Sequence, residues 1–309
     1  MPFSDVLDPS LYKSWELTPS TRESVHLLTK PYPVDKTLAV PGTAEDLITV
    51  SPGIATVNMV TNPSFETGNP PTGFTAVGSA IAQSAVYYLY GLNSMEINPN
   101  NVAKGEGAYY SLGMFPRNKP LSVSCYLRRG AAGSADSRVE LYGVTSAARI
   151  AVGNSITLDG SWQRSSFALE RINIWRLEHG AVTGGPFQED ETITGGTSGV
   201  TASVNTVFGA PNNYLVIRNM TGGFTKGETI TGGTSLATAV ISKPQWEVAV
   251  DQELRIYIVT AAQHNVTFYA DGLQAEAWPH ITAYCDGAQG YAHFWDGVAH
   301  GWTIKTDGV

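Results

Sequence analysis

The chain has 309 residues, of which 15% are charged, and a formal net charge of −8. That length accommodates two compact units and a sizeable core. The acidic balance, with no basic cluster beyond Arg128-Arg129, excludes a general nucleic-acid binder, which needs grouped Lys and Arg to displace counterions from phosphate.

Residues 1–55 carry scattered prolines and single aromatics with no sustained period, so they are expected to form an extended arm. Tyr12, Trp15 and Tyr32 would anchor that arm along a neighbouring subunit; the alternative is a leader with no partner. The first residues have neither a basic n-region nor an apolar h-region, and no long apolar run occurs, so a soluble chain without a secretory signal or membrane span is expected.

From residue 56 the texture changes to short apolar runs bounded by Gly and Asn turns. Strands are expected at Ala85–Tyr90, Ser94–Ile97, Ala108–Leu112, Leu121–Leu127, Arg138–Val144 and Trp162–Leu169, and again at Trp246–Val250, Leu254–Val259 and Val266–Leu273. Such spacing predicts an all-β, antiparallel sandwich built from residues 56–171 and 246–277, followed by a C-terminal segment, 278–309. Cys125 alternates with Val123 and Leu127 in one run and reads as a buried free thiol.

Between the two halves, residues 172–245 hold an internal repeat. Glu191-Thr-Ile-Thr-Gly-Gly-Thr-Ser recurs unchanged at Glu228–Ser235, and the match extends to Phe187 with Phe224, Ala202 with Ala239 and Val204 with Ile241. A β-branched run followed by Gly-Gly reads as a hairpin, so two hairpins packed into a small lobe inserted in a sandwich loop are expected. Gly-Gly is a tight-turn dipeptide that tolerates positive φ.

Four stretches, in order, resemble the jelly-roll carbohydrate-binding modules related to families 4, 9 and 22: Met59-Val-Thr-Asn-Pro-Ser-Phe-Glu-Thr-Gly, Tyr90-Gly-Leu-Asn-Ser-Met-Glu-Ile, Ser161-Trp-Gln-Arg-Ser-Ser-Phe and Phe268-Tyr-Ala-Asp-Gly-Leu-Gln-Ala-Glu. The ending, Tyr284-Cys-Asp-Gly through Gly301-Trp302, and the repeat resemble segments of tailed-bacteriophage virion proteins, with Cys285 standing where that ending usually has an aromatic. The first resemblance implies a jelly roll. It also implies a calcium ion held by Glu66, a carbonyl near Gly91 and Asp271, the alternative being that these carboxylates are hydrogen-bonded caps without metal; no other cofactor is expected.

Glycan binding needs exposed aromatic faces. Tyr87, Tyr88, Tyr109, Tyr110, Trp295 and Trp302 are the candidates; adjacent tyrosines on a strand face opposite ways, and Tyr88, Tyr110, Trp295 and Trp302 are taken as the binding set. No hydrolase, phosphate-loop or metalloprotease pattern occurs, and His293 and His300 read as loop histidines, so no enzyme is expected. The resemblances together imply a non-enzymatic, homo-oligomeric structural protein on the exterior of a phage virion, assembled in the host cytoplasm among other virion proteins. Capsid decoration or head fibre is the leading expectation. A tail or baseplate protein touching host-surface glycans is the alternative, and a free carbohydrate-binding protein the second alternative.

Overall fold

β-Branched and aromatic runs separated by Gly, Asn and Pro turns build the protein from strands. The computed structural model describes residues 36–39, 47–50, 55–130, 132–248, 251–284, 293–295 and 303–306, and among them there is no helix. The first strands are β1 (Lys36–Ala39), β2 (Leu47–Val50) and β3 (Ala55–Asn58). Then come β4 (Phe74–Val77), β5 (Ser79–Ser84), β6 (Ser94–Pro99), β7 (Gly107–Phe115), β8 (Leu121–Arg129), β9 (Asp136–Gly143), β10 (Ala148–Val152), β11 (Ile156–Thr157) and β12 (Gln163–Leu169). The inserted region holds β13 (Ile174–His179), β14 (Thr192–Gly195), β15 (Thr201–Phe208), β16 (Tyr214–Arg218), β17 (Thr229–Gly232) and β18 (Thr238–Val248). Last are β19 (Gln252–Thr260), β20 (Phe268–Glu276), β21 (His293–Trp295) and β22 (Thr303–Thr306).

Two compact units emerge, one holding β1, β2, β3, β21 and β22 and the other Met59–Tyr284. In the first, β1 pairs antiparallel with β2, and β3, β22 and β21 form a three-stranded sheet. Within the stretch expected to be an extended arm, the described residues are Lys36–Ala39 and Leu47–Val50, β-forming runs that pair with each other, and the start of β3. Tyr12, Trp15, Tyr32, His300 and Trp302 lie outside the described residues.

The second unit is an antiparallel jelly-roll β-sandwich with an inserted barrel. One sheet runs β10-β9-β19-β7-β4 with β11 beside β9, the other β12-β8-β20-β6-β5. Inward-facing residues alternate with outward ones, and Met95, Ile97, Leu121, Leu127, Leu141, Ile256 and Phe268 meet in the core between the sheets. Cys125 is a buried free thiol. Ala85–Tyr90 is not a strand: Asp271 accepts the N–H groups of Leu89 and Tyr90, and the Tyr87 and Tyr90 rings pack on Tyr269 and Tyr126. Side-chain capture of the backbone has overridden the strand propensity of this run.

The repeat closes a six-stranded barrel, β13-β16-β15-β14-β17-β18, larger than two hairpins because Ile174–His179 and Tyr214–Arg218 complete the wall. The two copies pair antiparallel with each other, with Thr194 opposite Thr231 and Ile193 opposite Gly232. Equivalent residues fill the barrel core: Phe187 and Phe224, Ile193 and Ile230, Ala202 and Ala239, Val204 and Ile241.

The pairing also explains why the octamer is repeated letter for letter. Glu191 accepts N–H donors from Thr234 (3.1 Å) and Ser235 (2.9 Å) and the Ser235 hydroxyl, all from the other copy. Glu228 accepts the same set from Thr197 (3.1 Å), Ser198 (2.9 Å) and the Ser198 hydroxyl. Each copy supplies a carboxylate and a turn that receives the partner's carboxylate. Neither Gly195 nor Gly232 has positive φ. A Cβ on Gly195 would stand 2.6 Å from Glu228 Oε2, and one on Gly232 2.6 Å from Glu191 Oε2, so close approach, not turn geometry, requires glycine there.

Candidate functional site

The alternating runs Arg138-Val-Glu-Leu-Tyr on β9 and Arg255-Ile-Tyr-Ile on β19 send apolar residues inward and place Glu140, Tyr142, Arg255 and Tyr257 on the outward face of one sheet. Tyr109 of β7 joins them. Tyr257 stands opposite Tyr109 on one side and Glu140 on the other, and Arg255 opposite Tyr142. The Tyr257 ring centre lies 5.3 Å from that of Tyr109 and 5.9 Å from that of Tyr142, and the Arg255 guanidinium sits 4.6 Å from the Tyr109 ring centre. The three tyrosines are half-buried, with ring surface left to solvent. Burial and the neighbouring Tyr257 hold the Tyr142 phenol above its ordinary pKa, and hydrogen bonding to Tyr257 raises that of Arg255. The stripe is thus three phenol rings beside a guanidinium.

One end of the stripe meets the barrel. The turn before β14 carries Glu189 and Asp190, and Asp190 accepts from Arg149 (2.7 Å) and Arg138 (2.8 Å), with Lys104 at 3.5 Å and Arg218 at 3.6 Å. Glu140 accepts from Arg138 and Arg149 in turn. Burial disfavours the Asp190 charge, but the Arg138 hydrogen bond and the Arg149 charge prevail and hold its carboxyl below the usual range. Desolvation and the crowding of Arg149 and Arg138 lower Arg218. The barrel docks further through Thr206 Oγ1, which accepts the Arg149 N–H (3.0 Å), and Asn205 Nδ2, which donates to the Ile150 carbonyl (3.1 Å). A cavity of about 80 Å³ opens at this junction, lined by Lys104, Arg138, Glu140, Arg149, Glu189 and Thr260. Lys104 is placed there by a turn whose N–H groups at Asn101, Val102 and Ala103 converge on Glu106.

Glu66, Gly91 and Asp271 do come together. Asp271, fully buried, accepts N–H groups from Leu89 (2.7 Å), Tyr90 (2.9 Å) and Gly272 (2.7 Å). Glu66 accepts from Leu92 and Asn93, both at 2.8 Å, and from the Asn93 amide, while Gly91 passes against its carboxylate with a φ of 71°. Burial pushes Asp271 up to about 8, with the Glu66 charge adding to it. A carboxylate has about four lone-pair sites, so three donors on each leave acceptor capacity that calcium could use. Among the described residues no group of three or more His, Cys, Asp or Glu converges on one point, so calcium there would need carbonyl, amide or water oxygens to complete its shell.

The aromatic expectations are partly corrected. Tyr110 is buried in the core, its hydroxyl within hydrogen-bonding distance of Thr61, because β7 turns Tyr109 outward and Tyr110 inward. Tyr88 is 47% exposed on the loop between β5 and β6, strands of the other sheet, and Trp295 lies on β21. Tyr142, Tyr257 and Arg255 were missed, although their alternation with core residues in β9 and β19 was the available signal.

No protein-family model and no curated protein matches the chain. Solved structures that it resembles include the C-terminal family 22 carbohydrate-binding module of Clostridium thermocellum Xyn10B, at 13% identity over 71% of this chain and 94% of the module, TM-score 0.35. Another is the Clostridium thermocellum family 11 module in complex with a β-1,3-1,4-mixed-linked tetrasaccharide, at 14% identity over 72% of this chain and 95% of the module, TM-score 0.33. A third holds the CBM22-1 and GH10 modules of the Clostridium thermocellum xylanase 10B with xylohexaose, at 10% identity, TM-score 0.37; the match covers 74% of this chain and 30% of that one. Likeness this distant assigns no ligand to the chain.

Proposed function

We propose that this protein binds glycans on the outward face of β7, β19 and β9, without chemical turnover. The observation that carries the reading is the row of half-exposed rings Tyr109, Tyr257 and Tyr142, flanked by Arg255 and Glu140. Aromatic faces stack on the C–H faces of sugars, and charged groups at the edges pair with hydroxyls. Tyr257 is central, so Tyr257→Ala is expected to weaken binding at least about tenfold, the scale of a lost aromatic anchor. Affinity electrophoresis against a panel of soluble polysaccharides reads this directly, with Tyr88→Ala as the unchanged control. Retained affinity in Tyr257→Ala would refute the assignment.

A structural calcium at Glu66 and Asp271 forms a second part of the proposal, as a tie between the first turn and β20. Calcium is expected to raise Tm relative to EDTA in the wild type and to have no effect in Asp271→Asn, measured by thermal unfolding; equal Tm values in calcium and EDTA would leave a hydrogen-bonded clamp alone. The virion setting rests on residues 1–55 and 284–302 and on the repeat, and no observation at the described site favours it over a free glycan-binding protein.

A further inference from the structure

We propose that the cavity where the barrel meets the sandwich is an acidic-sugar subsite, which takes the carboxylate of a uronic-acid residue while the tyrosine stripe holds adjoining rings. This rests on the glycan reading above and adds the class of glycan.

The junction carries an excess of positive charge in an acidic chain. Lys104, Arg138, Arg149 and Arg218 are four cations against the three acids Glu140, Glu189 and Asp190, so 4 − 3 leaves one positive charge, while the whole chain stands at −8. Asp190 is shared among all four cations and saturates none. The Arg149 side chain is only 7% exposed, and its Nε is buried without a hydrogen-bond partner. An orphaned donor on a buried guanidinium is costly unless an acceptor arrives. Lys104, whose side chain is 43% exposed, reaches Asp190 and the Glu189 carbonyl only at 3.5 and 3.4 Å. Charge-assisted N–H···O bonds are ordinarily near 2.7–2.9 Å, so its ammonium is free to take a closer partner.

Position and sign narrow the ligand. Glu140 lines the cavity and stands opposite Tyr257 in register, and the Glu189 charge bears on the Tyr142 phenol, so the cavity continues the stripe. At about 80 Å³ it has room for a carboxylate and its water, with the sugar ring left outside on the aromatic faces. Glu140 and Glu189 in the same lining disfavour a dianion such as a phosphate monoester and leave a monoanion as the best match, and a planar carboxylate is the monoanion that pairs with a guanidinium edge to edge.

Isothermal titration of the full chain with acidic oligosaccharides (galacturonate, alginate and hyaluronan oligomers) and their carboxyl-reduced counterparts separates this proposal from the reading beneath it. Each pair shares ring and linkage and differs in charge. At least one acidic ligand is expected to bind about tenfold tighter than its reduced form, a preference that shrinks as salt is raised. Lys104→Ala, at an exposed side chain, should erase the preference, while Tyr257→Ala weakens both members of the pair. Equal affinity within every pair, or a preference intact in Lys104→Ala, overturns the acidic subsite and leaves the glycan reading standing. Binding to no acidic or neutral glycan sinks both.

Discussion

Replacing Glu191 with alanine is expected to destabilise the protein by about 3 kcal/mol or more, and the same change at Glu228 by a similar amount, measured by denaturant unfolding. Both carboxylates are buried, at 4% and 5% exposure, and each is the acceptor for the turn of the other copy. Alanine removes the charged acceptor of three backbone N–H groups, one from its own copy and two from the other, and of a serine hydroxyl, and a hydrogen bond to a charged group contributes roughly 1.5–3 kcal/mol. Thr194→Ala, on the exposed face of β14 just after Glu191, is the control and should change stability by less than about 0.5 kcal/mol. The effect should also be acid-sensitive. Burial opposes the charge of both glutamates, but backbone N–H donors outweigh it, and both stay below the usual carboxylate pKa. A depressed folded pKa gives stability that is complete above the unfolded value, about 4.3, and is lost as pH falls through the folded value. Wild-type stability should therefore decline below roughly pH 4, and Glu191→Ala should flatten part of that decline. A loss of less than about 1 kcal/mol would show that the reciprocal clamp is not what closes the barrel.

Asp190→Gly is the second large change. Asp190 holds a left-handed backbone, φ 72°, at the position where the other copy has Gly227, φ 86°. Glycine relieves strain of about 1 kcal/mol. Against that gain, it removes the shared acceptor of Arg138 and Arg149, whose side chains are 9% and 7% exposed, and stranding buried cations costs roughly 3–5 kcal/mol. The charge term wins, and a net loss of at least about 2 kcal/mol is expected, with faster amide exchange in β10 and β15 where barrel and sandwich meet. A stabilised Asp190→Gly would mean that the ion cluster contributes less than the backbone strain.

The same pair of positions shows how much the sequence disclosed. The repeat was visible as identical letters, and its core pairs, Phe187 with Phe224 and Val204 with Ile241, line the barrel. What identity conceals is asymmetry. Glu189-Asp190 in the first copy faces Lys226-Gly227 in the second, and Asn205-Thr206 faces Ser242-Lys243; these departures mark the copy that docks on the sandwich. Period-two alternation placed most sandwich strands, since one face of each is buried. It failed at Ala85–Tyr90, where a distant carboxylate, Asp271, captured the backbone, an event no local pattern records. The stripe was half legible. Adjacent tyrosines do face opposite ways on β7, but which one faces out depends on strand register, and register puts Tyr110 in the core. Tyr109, Tyr142 and Tyr257 lie far apart in sequence and become neighbours only through the order β9-β19-β7.

The most direct test of the central claim is to map a bound oligosaccharide by NMR, following tyrosine ring resonances of the full chain during titration. The account predicts that the Tyr109, Tyr142 and Tyr257 rings shift together and saturably while Tyr88 stays still. Saturable binding that perturbs other rings and leaves these three unmoved would contradict it.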